Sequence, residues 1–364
     1  MLDKQQLTKQ ILAWWDEGHE SLPWRETPDP YVIWVSEIML QQTQIATVIP
    51  YFQRWMVRFP TVQDLAGATL DEVLKMWEGL GYYSRARNLH AAAKIVTEEY
   101  GSRLPQTVPE LQALPGIGRY TAGAIASIAF EQSVPVLDGN VIRVLSRLVD
   151  LADDVSKGAT KTALWQLAGS LVPQQRPGDY NQALMELGQQ ICPPTIPKCA
   201  ACPLTTLCRA REQGTIEKRP VRPPRKRTPH YDVVAGVIWQ EKKPLATAQF
   251  LITKRPLDGL LGGLWEFPGG KQEPGESLAQ ALRREIREEL ALEIIIGEKV
   301  AVVKHAYTHF RITLHAFHAR ANGAQPQHIG VADHAWVSLA DLDKYAFAAA
   351  DRQIIAALIT ELVS

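Results

Sequence analysis

All four cysteines of this 364-residue chain sit between residues 192 and 208, at Cys192, Cys199, Cys202 and Cys208, with the spacing C-x6-C-x2-C-x5-C. Four thiolates held this close can wrap one metal centre and little else, which separates a cofactor-bearing chain from an ordinary helical protein. Three states of the thiols compete. Disulfides are the first. The N-terminus, MLDKQQLTKQILAWWDEG, is a charged amphipathic helix without the apolar segment of an export signal, which predicts a reducing cytoplasm where paired disulfides are rare. Zinc is the second, but its ribbon pattern sets two C-x2-C knuckles about fifteen to twenty residues apart. Here there is one knuckle, with an outer cysteine close on each side. All-thiolate ligation also suits an iron–sulfur cluster, and the spacing favours that over zinc.

A chain this long exceeds what a single core usually serves, which predicts two domains. Hydrophobic residues make up 46% of the sequence, ample for packed cores, and no apolar run approaches the length of a membrane span. The net charge is zero but unevenly spread. Residues 1–216 carry 19 basic and 22 acidic side chains, residues 217–230 six and one, and residues 231–364 14 and 16. A nucleic-acid partner is therefore not announced by bulk charge. It would be gripped locally, by helix N-termini, backbone amides and the basic segment 217–230. That segment, EKRPVRPPRKRTPH, has four prolines and no apolar period. It reads as an extended tether that strengthens phosphate binding in a salt-dependent way and offers a contact for repair proteins.

Before the tether the pattern is helical. Asp29-Pro30 starts a helix through YVIWVSEIMLQQT, and shorter amphipathic helices follow at 71–77 and 91–100. After the tether, YDVVAGVIWQ, FLITKRP and ITLHAFHAR are strand-like, with one strong helix at SLAQALRREIREEL. The predicted architecture is an all-α domain over 1–216, a linker over 217–230 and an α+β domain over 231–364.

Three places could carry chemistry. LPGIGRYTAGAIASIAF joins a Pro-Gly-x-Gly turn to an Ala-rich helix. Gly116 and Gly118 allow a tight reversal, and the helix start presents its positive end to an anion; a plain packing corner would look similar. Asp138, in VLDGNVIRV, stands between an apolar run and a new helix, as an N-cap that is held ionised there. Glu37 lies in the apolar helix VIWVSEIML on one face with Ile33, Leu40 and Gln41. Burial there would raise its pKa and keep a proton available; the alternative is a partly exposed glutamate on the polar side.

LPWRETPDPY, EIMLQQTQ, GLGYYSRARNL, LPGIGRYTA, VLDGNVIRV, NQALMELG and the cysteine loop stand in series. In that order they resemble the helix-hairpin-helix DNA glycosylases, specifically the MutY-type adenine DNA glycosylases. The resemblance implies a four-iron, four-sulfur cluster on Cys192, Cys199, Cys202 and Cys208, and a hairpin at Gly116 and Gly118 that binds the DNA backbone. Relatives of the endonuclease III type act on oxidised pyrimidines through a lysine after the hairpin. This chain has Tyr120 at that position, so no amine is present there to attack C1′. Base release by water without efficient strand cleavage is expected.

By the same resemblance Glu37 protonates adenine as it leaves. Asp138 stabilises the oxocarbenium-like sugar, electrostatically or through a transient bond, and Tyr120 and Asn140 orient them. Trp24, Arg25, Leu40 and Gln182 would line the adenine pocket. Gln42 and Tyr82 match wedge positions that fill the gap left by a flipped base.

In the C-terminal part, LWEFPGGKQEPGESLAQALRREIREELAL resembles the Nudix box through Gly270, Glu276, Arg284, Glu285, Glu288 and Glu289, with Ala291 in place of the usual glycine. The clustered glutamates repel one another unless a divalent cation or arginines intervene. MutY-type proteins use a Nudix-like domain to recognise 8-oxoguanine, and Tyr307, Thr308 and His309 match the family's aromatic–hydroxyl–His loop, with Tyr and Thr in place of the commoner Phe and Ser. The expected partner is double-stranded DNA carrying adenine opposite 8-oxoguanine or guanine. A monomer, cytoplasmic and nucleoid-associated, is expected. The competing readings are an endonuclease III-like lyase, a nucleotide pyrophosphohydrolase carrying a DNA-binding domain, and a non-catalytic damage-binding protein.

Overall fold

Asp29 caps the helix Pro30–Leu40 by accepting from the Tyr31 N–H at 2.8 Å, and Pro30 occupies its first turn. The helix stops at Leu40, short of the predicted Thr43. Gln41 leaves helical geometry (φ −56°, ψ 111°) and Gln42 takes the left-handed conformation, φ 57°. Every residue from Tyr31 to Met39 is buried, so this helix is wrapped on all sides. The computed structural model describes residues 2–224, 228–240 and 248–363.

Contacts divide the chain into two compact units: Met1–Gly67 with Asn88–Arg225, and Ala68–Arg87 with Lys226–Ser364. The first unit is helical. One core joins Leu7, Ile11 and Trp15 of Lys4–Gly18 to Val141, Val144 and Leu145 of Gly139–Leu148 and to Tyr180, Leu184 and Leu187 of Pro177–Gln190. Cys192, Cys202 and Cys208 pack against this same core.

The second unit is built on a seven-stranded mixed sheet: β1 (His230–Trp239), β2 (Phe250–Lys254), β3 (Trp265–Glu266), β4 (Gly269–Lys271), β5 (Ile294–Ala306), β6 (Arg311–Ala321) and β7 (Asp333–Val337). The order is β3-β2-β1-β6-β5, with β4 on β1 and β7 on β2; β1 and β6 run parallel and the other pairs antiparallel. The helix Leu278–Leu290 covers one face through Leu282, Ile286 and Leu290. Ile354, Ile355 and Leu358 of the helix Ala349–Val363 cover the other.

This division departs from the boundaries expected of the sequence in two places. Residues 68–87 interrupt the helical part of the sequence yet belong to the second unit. Glu78 accepts from the Phe347 N–H at 2.7 Å and takes Arg352 on both oxygens at 2.7 and 2.8 Å. Lys75 donates to the Tyr345 carbonyl at 3.0 Å, and Asp71 pairs with Lys254 at 2.6 Å. The second departure is the start of the linker, which is packed rather than a free tether. The Val155 N–H donates to the Val221 carbonyl at 3.1 Å, Arg219 pairs with Asp150 at 2.8 Å, and Arg147 donates to the Arg219 carbonyl at 3.3 Å. Arg225, Lys226 and Arg227 of the expected linker lie outside the described residues.

Candidate active site

Glu37 sits on the fully wrapped helix Pro30–Leu40 at 7% exposure. The Tyr120 hydroxyl donates to its Oε2 at 2.8 Å and also touches the Met185 sulfur at 3.1 Å. Burial pushes the Glu37 carboxyl up to about 7; the Tyr120 hydrogen bond opposes this, and the negative charge of Asp138 adds to it. A group so placed keeps a proton available up to near neutral pH.

Asp138 caps Gly139–Leu148, with its Oδ1 accepting from the Val141 N–H at 2.7 Å. Its Oδ2 accepts from the Asn140 amide at 2.8 Å. Burial raises its pKa from the ordinary value, whereas the cap alone predicted a carboxyl held ionised. The Val141 and Asn140 donors and the charge of Arg143 pull the other way. Arg143 fixes this arrangement from behind. Its guanidinium donates to Asn140 Oδ1 at 2.8 Å, to the Gly188 carbonyl at 2.7 Å and to the Cys192 carbonyl at 2.7 Å. Helix Pro177–Gln190 comes close enough here that a Cβ on Gly188 would meet the Asn140 Cβ at 2.7 Å.

Glu37, Asp138, Tyr120 and Asn140 line one cavity of about 320 Å³, together with Trp24, Arg25, Leu40 and Gln182. Arg25 donates to Gln182 Oε1 at 3.2 Å and to Glu186 Oε2 at 2.6 Å, and its guanidinium lies 4.7 Å from the Trp15 ring centre. Arg25 thereby occupies the Gln182 amide oxygen, which leaves the amide nitrogen as that side chain's donor. Glu186, Met185 and Arg143 were not singled out from the sequence. The signal was present: Gln182, Met185, Glu186 and Gln189 recur at helical spacing within NQALMELGQQ and all face this cavity.

Gly116 needs to be glycine, because it takes φ +78° and a Cβ would meet the Asn88 Cβ at 2.7 Å. Gly118 is the N-cap of Arg119–Phe130 and contributes no capping side chain, so the first N–H groups of that helix remain available to an anion. Gln42 is exposed, in the left-handed conformation noted above.

The four cysteines are free thiols around one small cavity that also receives Arg147 and Arg211. Arg147 donates to Cys192 Sγ at 3.1 Å and to the Pro193 carbonyl at 2.8 Å. Burial pushes the Cys202 thiol up to about 11, and the other three sulfurs add to the effect. Four thiolates here therefore call for a cationic centre among them. Among the described residues, the only three or more metal-ligating side chains with donor atoms mutually within 4.8 Å are elsewhere in the chain. The four thiols around one cavity fit a single all-thiolate metal centre.

In the second unit, Tyr82, Tyr307, Thr308 and His309 line one cavity of about 400 Å³. The hydroxyls of Tyr82 and Thr308 are hydrogen-bonded to each other. Tyr82 is in the left-handed conformation at φ 49°, a strained state for an aromatic residue. Tyr307 opens the β5–β6 turn, donating its N–H to the Phe310 carbonyl at 2.8 Å, and its ring tilts on Phe310 at 4.8 Å. Arginines intervene among the box glutamates: Arg284 pairs with Glu276 at 2.7 Å, Glu285 at 3.0 Å and Glu288 at 3.1 Å. Arg255 pairs with Glu266. Glu289 keeps a buried Oε2 without a hydrogen-bond partner, and burial pushes it up to about 8.

A family model described as HhH-GPD superfamily base excision DNA repair protein matches residues 35–169, and one described as NUDIX domain matches residues 234–357. The chain is 38% identical over 394 residues to the adenine DNA glycosylase of Rattus norvegicus, spanning 95% of this chain and 76% of that protein. It is 40% identical over 366 residues to that of Homo sapiens, spanning 87% and 67%. Among solved structures, a thermostable thymine-DNA glycosylase superposes with a TM-score of 0.52 at 31% identity, covering 58% of this chain and 97% of that one. Identity that runs through both halves, over nearly the whole length, has one reading: the chain belongs to the adenine DNA glycosylase family.

Proposed function

We propose that this chain excises adenine from DNA, where adenine stands opposite 8-oxoguanine or guanine, by acid-assisted hydrolysis of the N-glycosidic bond. One observation carries this. A buried carboxyl, Glu37, and a half-buried one, Asp138, share a cavity, and their surroundings favour opposite protonation: a single hydroxyl for Glu37, two N–H donors and a nearby guanidinium for Asp138.

In this reading Glu37 hands its proton to N7 of the flipped base as the bond to C1′ breaks, so adenine leaves neutral. Asp138 stabilises the positive sugar until water adds. Tyr120 holds the Glu37 carboxyl in place, and Asn140 does the same for Asp138. Trp24, Leu40 and the Arg25–Gln182 pair receive the base. Gln42 and Tyr82 take the space it vacates, and the helix start behind Gly116 and Gly118 holds a phosphate. Tyr307 stacks on, and Thr308 and His309 hydrogen-bond to, the 8-oxoguanine of the opposite strand.

The four cysteines are assigned to a four-iron, four-sulfur cluster, as their thiolate chemistry and shared cavity support. When bound, it supplies metal–thiolate cross-links that hold loop 192–208 against the helix carrying Arg143 and Arg147. Three of the box glutamates, Glu276, Glu285 and Glu288, are already answered by Arg284, which favours a retained fold over a nucleotide pyrophosphohydrolase.

End-labelled duplexes carrying adenine opposite 8-oxoguanine, adenine opposite guanine, or thymine glycol test the proposal. Expected are strand breaks at adenine that appear only after alkali, lost in Glu37→Gln and Asp138→Asn while DNA binding survives. Breaks without alkali, attack on thymine glycol alone, or normal turnover by either variant would overturn it.

A further inference from the structure

The segment between β6 and β7 returns on itself so that two imidazoles meet. His328 Nε2 and His334 Nδ1 are 2.6 Å apart, with ring centres 4.9 Å apart and planes at 70°. Asp333 stands beside them, and one donor atom from each of the three residues lies within 4.8 Å of the others. Among the described residues this is the only such group of ligating side chains. The Asp333 carboxylate is already oriented, because its Oδ1 accepts from the His334 N–H at 2.8 Å. His328 and Asp333 are exposed and His334 is half-buried, so an ion reaches them from solvent.

The backbone that carries them is tied down on both sides. Gln327 donates its N–H to the Leu290 carbonyl at 2.9 Å, Ile329 and Gly330 donate to that of Glu289 at 3.1 and 3.2 Å, and Ala332 donates to that of Lys254 at 2.8 Å. Little ordering is left to do when a ligand arrives. Two ring nitrogens facing each other share one proton at best when both rings are neutral. An ion that takes a lone pair from each, and an oxygen from the carboxylate, satisfies all three. Zinc–nitrogen and zinc–oxygen bonds near 2.0–2.2 Å hold such donors about 3.4 Å apart, so the rings need open by less than ~1 Å.

We propose that His328, Asp333 and His334 bind a divalent transition metal of the zinc class, with water in the remaining position, and that this ion staples the loop to the start of β7. The nitrogen-rich donor set selects zinc, nickel or copper over magnesium. The site shares no residue with the cysteine loop or with the glutamates at 276–289.

The test uses the full chain with its iron–sulfur cluster in place, treated with a chelator, desalted and titrated with zinc alone against a chromophoric competitor. Iron content is measured on every sample, so that zinc on vacated thiols is subtracted. The expected result is zinc binding in the micromolar range or tighter. His328→Gln and His334→Gln should each weaken it by more than ~10-fold, since loss of even an indirect partner of a metal costs that much. Zinc should also raise the unfolding midpoint of the unaltered chain and leave that of the double variant unmoved. His328 is exposed and His334 only half-buried, and an unchanged unfolding midpoint of the zinc-free variants checks that they fold. No zinc binding in the micromolar range, or equal binding by the double histidine variant, overturns the proposal.

Discussion

Replacing Glu37 by glutamine keeps the shape of the side chain and removes its titration. The carboxyl is lifted from an ordinary 4.5 to about 7 by burial beneath a wrapped helix. At about 1.4 kcal/mol per pH unit, ionising it in place costs roughly 3 kcal/mol. The sign follows from linkage. The folded pKa lies above the unfolded one, so the stabilisation by the bound proton is complete below about pH 4.5 and is lost as pH rises through 7. Glu37→Gln should therefore match the unaltered protein in stability near pH 4.5. It should exceed it by about 2 kcal/mol near pH 6 and by about 3 kcal/mol at pH 8. Denaturant unfolding of the helical unit at several pH values measures this gap. The same proton is the one spent on adenine, so single-turnover base release should fall about tenfold per pH unit above 7. On the acid side the rate should fall as Asp138, itself raised by burial, takes up a proton. A stability gap that ignores pH, or a rate that stays level between pH 7 and 9, would refute the reasoning.

Arg143→Lys removes the fork that joins Asn140 to the Gly188 and Cys192 carbonyls. Thermal unfolding should show a loss of about 2 kcal/mol, and single-turnover assays a drop of about 100-fold in base release with DNA affinity retained. Gly116→Ala places a Cβ 2.7 Å from Asn88 at a positive φ. It should cost more than ~1 kcal/mol and weaken duplex binding, read by calorimetry and fluorescence anisotropy. Ala291 ends its helix at φ 54° in the left-handed conformation. Ala291→Gly should stabilise the second unit by about 1 kcal/mol in denaturant melts, without altering adenine release.

Local rules carried much of this molecule. The Asp29-Pro30 cap, the Asp138 cap and the three strands read from their β-branched and aromatic runs all follow from patterns within a few residues of each other. Glu37 was legible because its helical neighbours Ile33 and Leu40 are apolar. Strand β5 was not, because most of its positions are exposed and its register slips between Ile296 and Ala301, which erases the alternation. The Arg25–Glu186 pair and the Tyr82–Thr308 contact join positions more than 150 residues apart. No local pattern encodes such a meeting. The solvated tether failed at its first residues for the same reason: Val221 finds its partner at Val155.

The C-terminal unit is discontinuous along the chain, and that governs how it can be taken apart. A piece beginning at residue 226 would leave Arg352 without its carboxylate and the Phe347 amide without an acceptor, since both are supplied by Glu78. Weak lesion binding by such a piece would report the cut rather than the domain. Joining residues 68–87 to its N-terminus through a flexible spacer restores the missing acceptors, and gives that half of the protein a fair trial on its own.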